Sequence, residues 1–278
     1  MGGFQPGCLY IIAGRPGMGK TDVATNIATN AALAGHQVLY CNMEMGKGEM
    51  AHRVIARVAK LPIADQRRAY PPLSRDEWAA LIEARTSLHS LPLHIDETAG
   101  LSLSQIRMRA RRHKRRHGLD LLVIDYIGLM TPADARANKV HQIEEITKGL
   151  KALAKELQVP IIALSQLSRA VETRDDKRPQ LSDLRDSGAI EQDADVVMFC
   201  YREEYYLQRS EPQQGADESH DKYSDRVSKW MDAMSRAAGI AEIIIAKHRQ
   251  NQVGAVRLQY AAAVHTLANL HHEGDDRG

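Results

Sequence analysis

The sequence predicts an α/β domain with a mostly parallel central sheet, flanked by helices and closed by a C-terminal β-hairpin. Three observations carry this expectation. Short apolar runs alternate with helix-period segments along most of the chain. The clearest run, Leu121-Leu122-Val123-Ile124-Asp125, is apolar until a terminal carboxylate, as in a parallel strand buried on both faces. A glycine-rich turn, Gly14-Arg15-Pro16-Gly17-Met18-Gly19-Lys20-Thr21, separates the first run from the first helix.

That turn fits G-x-x-x-x-G-K-S/T, the phosphate-binding P-loop. Its context fits too. Cys8 to Ala13 reads as a buried strand, and Val23, Ile27 and Ala31 recur at helical spacing after Thr21. Glycines let the loop adopt torsions that side chains forbid. Its N–H groups and the positive helix end then converge on phosphate oxygens. Lys20 is placed to reach the outer phosphates, and the Thr21 hydroxyl to ligate Mg²⁺.

Gly35 ends this helix, and residues 37–42 read as the second strand, with Glu44 just beyond it. Residues 49–60 are expected to be helical on Met50, Val54 and Val58, with Pro62 as the stop. Ser74-Arg75-Asp76-Glu77 is a capping box opening a helix to about His89, and Ser102 to Gln105 is a second one. Leu93 to Asp96 is a short strand between them. The second box opens a basic helix with Arg107, Arg109, Arg111, Arg112, Lys114, Arg115 and Arg116. Charges on successive residues point all round a helix, which favours a solvated face over a nucleic-acid patch.

The 121–126 run ends at Asp125, the position of a carboxylate that orders water around Mg²⁺ in P-loop proteins. Residues 139–158 form a long helix with Ile143, Ile146, Leu150, Leu153 and Leu157 on one face. Pro160 to Gln166 is a further strand with a polar end. Residues 168–188 read as a charged loop, 195–201 as a strand, and 208–225 as a mobile polar insertion. Residues 241–246 and 255–260 pair as the closing hairpin around Lys247 to Gly254. The whole of 1–270 reads as one domain, and 271–278 as a disordered tail. Thr21, Glu44, Asp125 and Gln166 all fall at or past strand ends, where α/β sheets bind ligands.

Composition sets bounds. A net charge of only +2 means that any nucleic-acid footprint must be local. Cys8, Cys41 and Cys200 lie in or beside separate apolar runs and read as reduced core residues, suited to a cytoplasmic protein. Metal-binding spacings such as C-x-x-C or H-E-x-x-H do not occur, and no apolar run is long enough to cross a membrane. The first strand begins almost at Met1, so a shortened or minimal version of a longer protein is expected.

Taken together, the segments 14–21, Met43-Glu44-Met45, Val123 to Met130, Ser165 to Arg169, Ser182 to Gly188 and Lys247-His248-Arg249 resemble the C-terminal motor domain of the DnaB family of replicative helicases. The likeness runs nearly end to end. It implies a RecA-like fold, ATP with Mg²⁺ as cofactors, single-stranded DNA as partner, and a homo-hexameric ring moving 5′ to 3′. It also implies roles. Glu44 would polarise the attacking water and Gln166 would sense the γ-phosphate. Lys247 and Arg249 would act on the neighbour's ATP, although by themselves they read as an ordinary charged hairpin tip. Arg185, Asp186 and Gly188 would line the DNA channel. The family pattern has Ser at Gly17, Glu at Asp186, and Asn-Gly-Pro where this chain has Gln250-Asn251-Gln252. The family's N-terminal collar and linker helix do not appear in this sequence, so primase and loader binding and stable ring formation are expected to be weakened. Two other readings remain: a nucleotide-gated DNA-binding or assembly module without unwinding, and a RecA-like recombinase. Lys247-His248-Arg249 and Ser182 to Gly188 follow the helicase pattern rather than the recombinase one.

Overall fold

The computed structural model describes residues 2–68, 70–184 and 187–270. The expected tail 271–278 and two of the expected channel residues, Arg185 and Asp186, lie outside them. One sheet runs through the domain. Its strands are β1 (Leu9–Gly14), β2 (Val38–Asn42), β3 (Leu93–Asp96), β4 (Leu121–Asp125), β5 (Ile161–Gln166), β6 (Val196–Tyr201), β7 (Ile240–His248), β8 (Gly254–Ala261) and β9 (Thr266–Asn269). They lie in the order β3-β2-β4-β5-β1-β6-β7-β8-β9. The first six in that order are parallel, and β6 to β9 continue as an antiparallel meander.

The helices are α1 (Lys20–Leu33), α2 (Lys47–Ala59), α3 (Ile63–Gln66), α4 (Arg75–His89), α5 (Leu103–His117), α6 (Lys139–Leu157), α7 (Ser187–Asp193), α8 (Glu203–Leu207) and α9 (His220–Ala237). Parallel strands need crossovers, and these helices supply them on both faces of the sheet. One core packs Ile106 and Ala110 of α5 and Ile146, Leu150 and Leu153 of α6 against Leu9, Ile11, Ile124 and Phe199. The other packs Ala24, Ala28 and Ala32 of α1 against Tyr10, Ile12, Val123 and Leu164. Each large side chain so buried contributes about 1.5–3 kcal/mol, offset by the entropy of ordering it. Both capping boxes are made, at Ser74 with Glu77 and at Ser102 with Gln105. Gly149 of α6 is needed for close approach, since a Cβ there would meet Leu103 of α5.

Four expectations change. The inward stripe of α1 is Ala24, Ala28 and Ala32, with Asp22, Thr25, Asn26 and Thr29 also buried, while Ile27 and Ala31 are only partly covered. The stretch 168–188 is not all loop, because 3₁₀ turns form at Arg169–Thr173 and Leu181–Asp183 and α7 starts at Ser187. The expected insertion at 208–225 ends inside α9, whose partly covered side chains Tyr223, Val227, Trp230 and Met234 recur at helical spacing. The closing hairpin has a third strand, β9, joined through a turn at His265 with φ +51°. Cys41 and Cys200 are buried and Cys8 is only partly so.

The basic helix α5 keeps Arg111, Arg112, Lys114, Arg115 and Arg116 exposed, and three of its arginines also pair with acids. Arg109 pairs with Asp96, and Arg107 and Arg111 share Glu156. Its His113 and His117 pack with His94 of β3, ring centres 4.4, 5.0 and 5.1 Å apart. Among the described residues, no helix is long and apolar enough to cross a membrane.

Candidate active site

The site is built by register. β2, β4, β5 and β1 are consecutive in the sheet, and their C-terminal ends open on one side. Pairing sets Asn42 beside Asp125 and Gly14 beside Gln166. Glu44, Asp125, Gln166 and the turn carrying Lys20 and Thr21 therefore line up along one edge, each from a different strand. A cavity of about 530 Å³ lies there, lined by Pro16, Gly17, Gly19, Lys20, Thr21, Glu44 and Gln166 among others. A larger groove of about 700 Å³ lies between α5 and α6, lined by Arg107, Arg111, Lys114 and Arg115. The smaller cavity is the candidate active site, because it alone joins a phosphate cradle to carboxylates.

Local sequence explains the cradle. Gly17 and Gly19 take φ +82° and +83°. Gly19 caps α1 without a side-chain bond, and the first return bond of the helix is Val23 N–H to Gly19 O at 2.9 Å. The N–H groups before Val23 have no partner within the helix and mark its positive end, a setting for an anion. The Lys20 ammonium stands 6.0 Å from the centre of the Tyr126 ring.

Asp125 is fully buried. Tyr40 donates to its Oδ2 at 3.0 Å, while Oδ1 has no partner. Burial pushes its pKa up, with Tyr40 and Thr21 pulling the other way and Glu44 adding to the rise. A carboxylate held in this state favours an incoming cation. Among the described residues, no group of three His, Cys, Asp or Glu is arranged to hold a metal ion by itself. Glu44 is exposed at the cavity mouth. Its place is set by buried Asn42, whose Oδ1 accepts from the N–H groups of Glu44 at 3.2 Å and Met45 at 3.1 Å.

Two P-loop side chains do not serve the cavity. Arg15 turns inward, its Nε donating to Glu172 at 2.8 Å and its Nη1 to the Leu167 carbonyl at 3.0 Å. Met18 is buried in the core beneath the loop. Only the main chain of these two residues is available to a phosphate. Lys247 and Arg249 are not brought to the cavity either. They leave β7 at the opposite end of the sheet, where His248 pairs with Val196, the first residue of β6. Lys247 donates to the Glu191 carbonyl, Arg249 donates to the Gln192 carbonyl at 2.5 Å, and Asp195 is 3.6 Å from Arg249. Burial, then Arg249, lowers the Lys247 pKa. Gly188 is exposed in the first turn of α7.

The structure also adds residues. Asp22 receives Tyr260 at 2.5 Å, Arg53 at 2.9 Å and His265 at 3.0 Å, and all four residues line the cavity. Burial raises the Asp22 pKa, but the bonds to His265 and Tyr260 and the charges of His265 and Arg53 outweigh it and hold the carboxyl below its usual value. Asn26, one turn on, accepts from the Leu267 N–H at 3.1 Å and donates to the His265 carbonyl at 2.8 Å. A polar stripe Asp22-Asn26-Thr29 on an alanine-rich helix was the available signal.

Comparison with known proteins places this architecture. Residues 1–269 match the DnaB-like helicase C-terminal domain. The replicative DNA helicase DnaB of Rickettsia prowazekii is 45% identical over 96% of this chain and 55% of its own length. The replicative DNA helicase DnaC of Bacillus subtilis is 38% identical over 99% of this chain and 55% of its own. The chain thus spans about half the length of these relatives. A solved DnaB-like replicative helicase, described with its interactions with primase, superposes with a TM-score of 0.83 at 36% identity, covering 97% of this chain and 59% of that one. A second solved structure, an ATPase domain, also gives 0.83 at 36% identity and covers 87% of that chain.

Proposed function

This chain belongs to the DnaB-like helicase C-terminal domain family, and we propose that it is the ATP-driven motor of a replicative DNA helicase, acting in the cytoplasm on single-stranded DNA. One observation carries the reading: Lys20 with Thr21, Glu44 and Gln166 line one cavity at the ends of neighbouring parallel strands, and Asp125 lies buried at the end of the strand between those leading to Glu44 and Gln166.

In this reading the P-loop N–H groups and Lys20 hold the phosphates of ATP. Thr21 and the free Oδ1 of Asp125 suit Mg²⁺, which when bound would neutralise charge on the phosphates. Glu44 accepts the proton of the attacking water, and its exposure at the mouth leaves room for that water. Gln166, beside Gly14, faces the terminal phosphate. Leu167, the next residue, bridges to Leu184 at the base of the expected channel loop. Loss of the phosphate would be felt there first.

Lys247 and Arg249 sit at the far end of the sheet from their own cavity. That position suits cations that complete the site of a neighbour in a ring, where fixed positive charge meets charge developing on the leaving phosphate. A hexamer, the channel role of Arg185, Asp186 and Gly188, and 5′-to-3′ travel belong to the same proposal.

A forked-duplex assay tests the reading. ATP-dependent displacement of the paired strand by wild type, absent in Lys20→Ala, is expected. Binding of ATP and DNA without displacement would favour an assembly module.

A further inference from the structure

The tip of the P-loop is covered by a segment that the scheme above leaves unused. After β6 the chain crosses directly over the tip of the P-loop. Arg202 donates from Nη1 to the Gly17 carbonyl at 3.2 Å. Its guanidinium is held by Glu204 at 3.1 Å and lies 4.5 Å from the centre of the Tyr260 ring. Tyr205, on α8, covers the same glycine. A Cβ built on Gly17 would fall 2.4 Å from Tyr205 Cε2 and 2.8 Å from Cζ. The ring thus occupies the volume in which any other residue would carry its side chain. Behind the ring, the Arg209 guanidinium stacks 3.5 Å from its centre, and Tyr206 meets it edge-on at 5.6 Å. α8 is tied outward in turn, since Trp230 of α9 donates to the Leu207 carbonyl at 2.9 Å.

A glycine at φ +82° has more backbone freedom to lose on binding than any other residue. A loop held in its bound form beforehand loses less of that freedom when the ligand arrives. We infer that Tyr205 is a positioning residue for nucleotide binding: its ring, backed by Arg209, holds the P-loop tip at Gly17 in the phosphate-accepting form. The inference rests on the ATP reading of the cavity. It assigns α8 to that site, although no α8 residue is among those lining the cavity.

The test is a titration of the full chain with Mg-ATP, with KM and kcat measured alongside. Tyr205→Ala is expected to weaken binding and raise KM by about fivefold to tenfold, with kcat within about twofold of wild type. Tyr205→Phe keeps the ring and is expected to restore wild-type KM. Arg209→Ala alters an exposed side chain and does not threaten the fold; it is expected to give an intermediate KM. Wild-type affinity in both Tyr205→Ala and Arg209→Ala overturns the inference, as does a Tyr205→Phe defect equal to that of Tyr205→Ala. Failure of wild type itself to bind Mg-ATP removes the ATP reading, and this inference with it.

Discussion

Tyr40 and Asp125 form a buried pair across β2 and β4, the tyrosine hydroxyl donating to Oδ2 at 3.0 Å while Oδ1 is left without a partner. A carboxylate stripped of water with half its acceptors unmet is costly to fold around. Asp125→Asn removes the charge and keeps an oxygen for Tyr40. The ligand-free variant is therefore expected to melt at or above the wild-type temperature while hydrolysing no ATP. Thermal unfolding with and without nucleotide checks this. A clear loss of stability in the ligand-free variant would mean that Asp125 is a structural group.

Asn42 tests how the expected base is positioned. Its side chain accepts from the main chain of Glu44 and Met45. Asn42→Ala is expected to lower kcat by about tenfold or more with little change in nucleotide affinity, because small misplacements of a reacting group are costly. Equal losses in kcat and affinity would show that Asn42 supports the whole site instead.

The far-end location of Arg249 makes a mixing experiment decisive for the trans proposal. Lys20→Ala spoils a chain's own cradle but leaves its Arg249 intact. Arg249→Ala does the reverse. Each variant alone is expected to be inactive. Mixed before assembly, they form interfaces with an intact cradle from one chain and an intact arginine from the next, so part of the hydrolysis returns. No recovery in mixed assemblies of confirmed composition would place the Arg249 effect within its own chain.

The three-histidine stack gives a pH prediction. Burial, with His94 and then His117 nearby, lowers the His113 pKa from 6.5 to about 4. Below pH 6.5 the unfolded chain takes up a proton that the folded chain refuses until about pH 4. Stability from this group is thus fully present above pH 6.5 and is lost as pH falls through that window. The melting temperature should drop between about pH 7 and about pH 5, and drop less in His113→Gln. Identical pH profiles for the two proteins would exclude this source.

Much of the site is legible in the sequence because the chemistry is local. Strand, glycine turn, lysine and helix are contiguous at residues 9–33, and Asp125 and Gln166 announce themselves at the ends of apolar runs. What escapes depends on distant pairing. Asp22 meets Tyr260 and His265 from far along the chain, so the polar stripe on α1 does not by itself name these partners. Arg15 lies inside the motif yet serves Glu172 and Leu167, because its direction is set by packing rather than by spacing. α9 was hidden by its polar outer face, and β9 by its shortness.

The most direct test of the central claim is phosphate release by wild type and Glu44→Gln, with and without single-stranded DNA, alongside Mg-ATP binding by both. The expected result is DNA-stimulated hydrolysis by wild type. Glu44→Gln should bind Mg-ATP normally and hydrolyse it at least about a hundredfold more slowly. A wild type that releases no phosphate, or a Glu44→Gln variant that hydrolyses at the wild-type rate, would contradict a hydrolysis site assembled at these four strand ends.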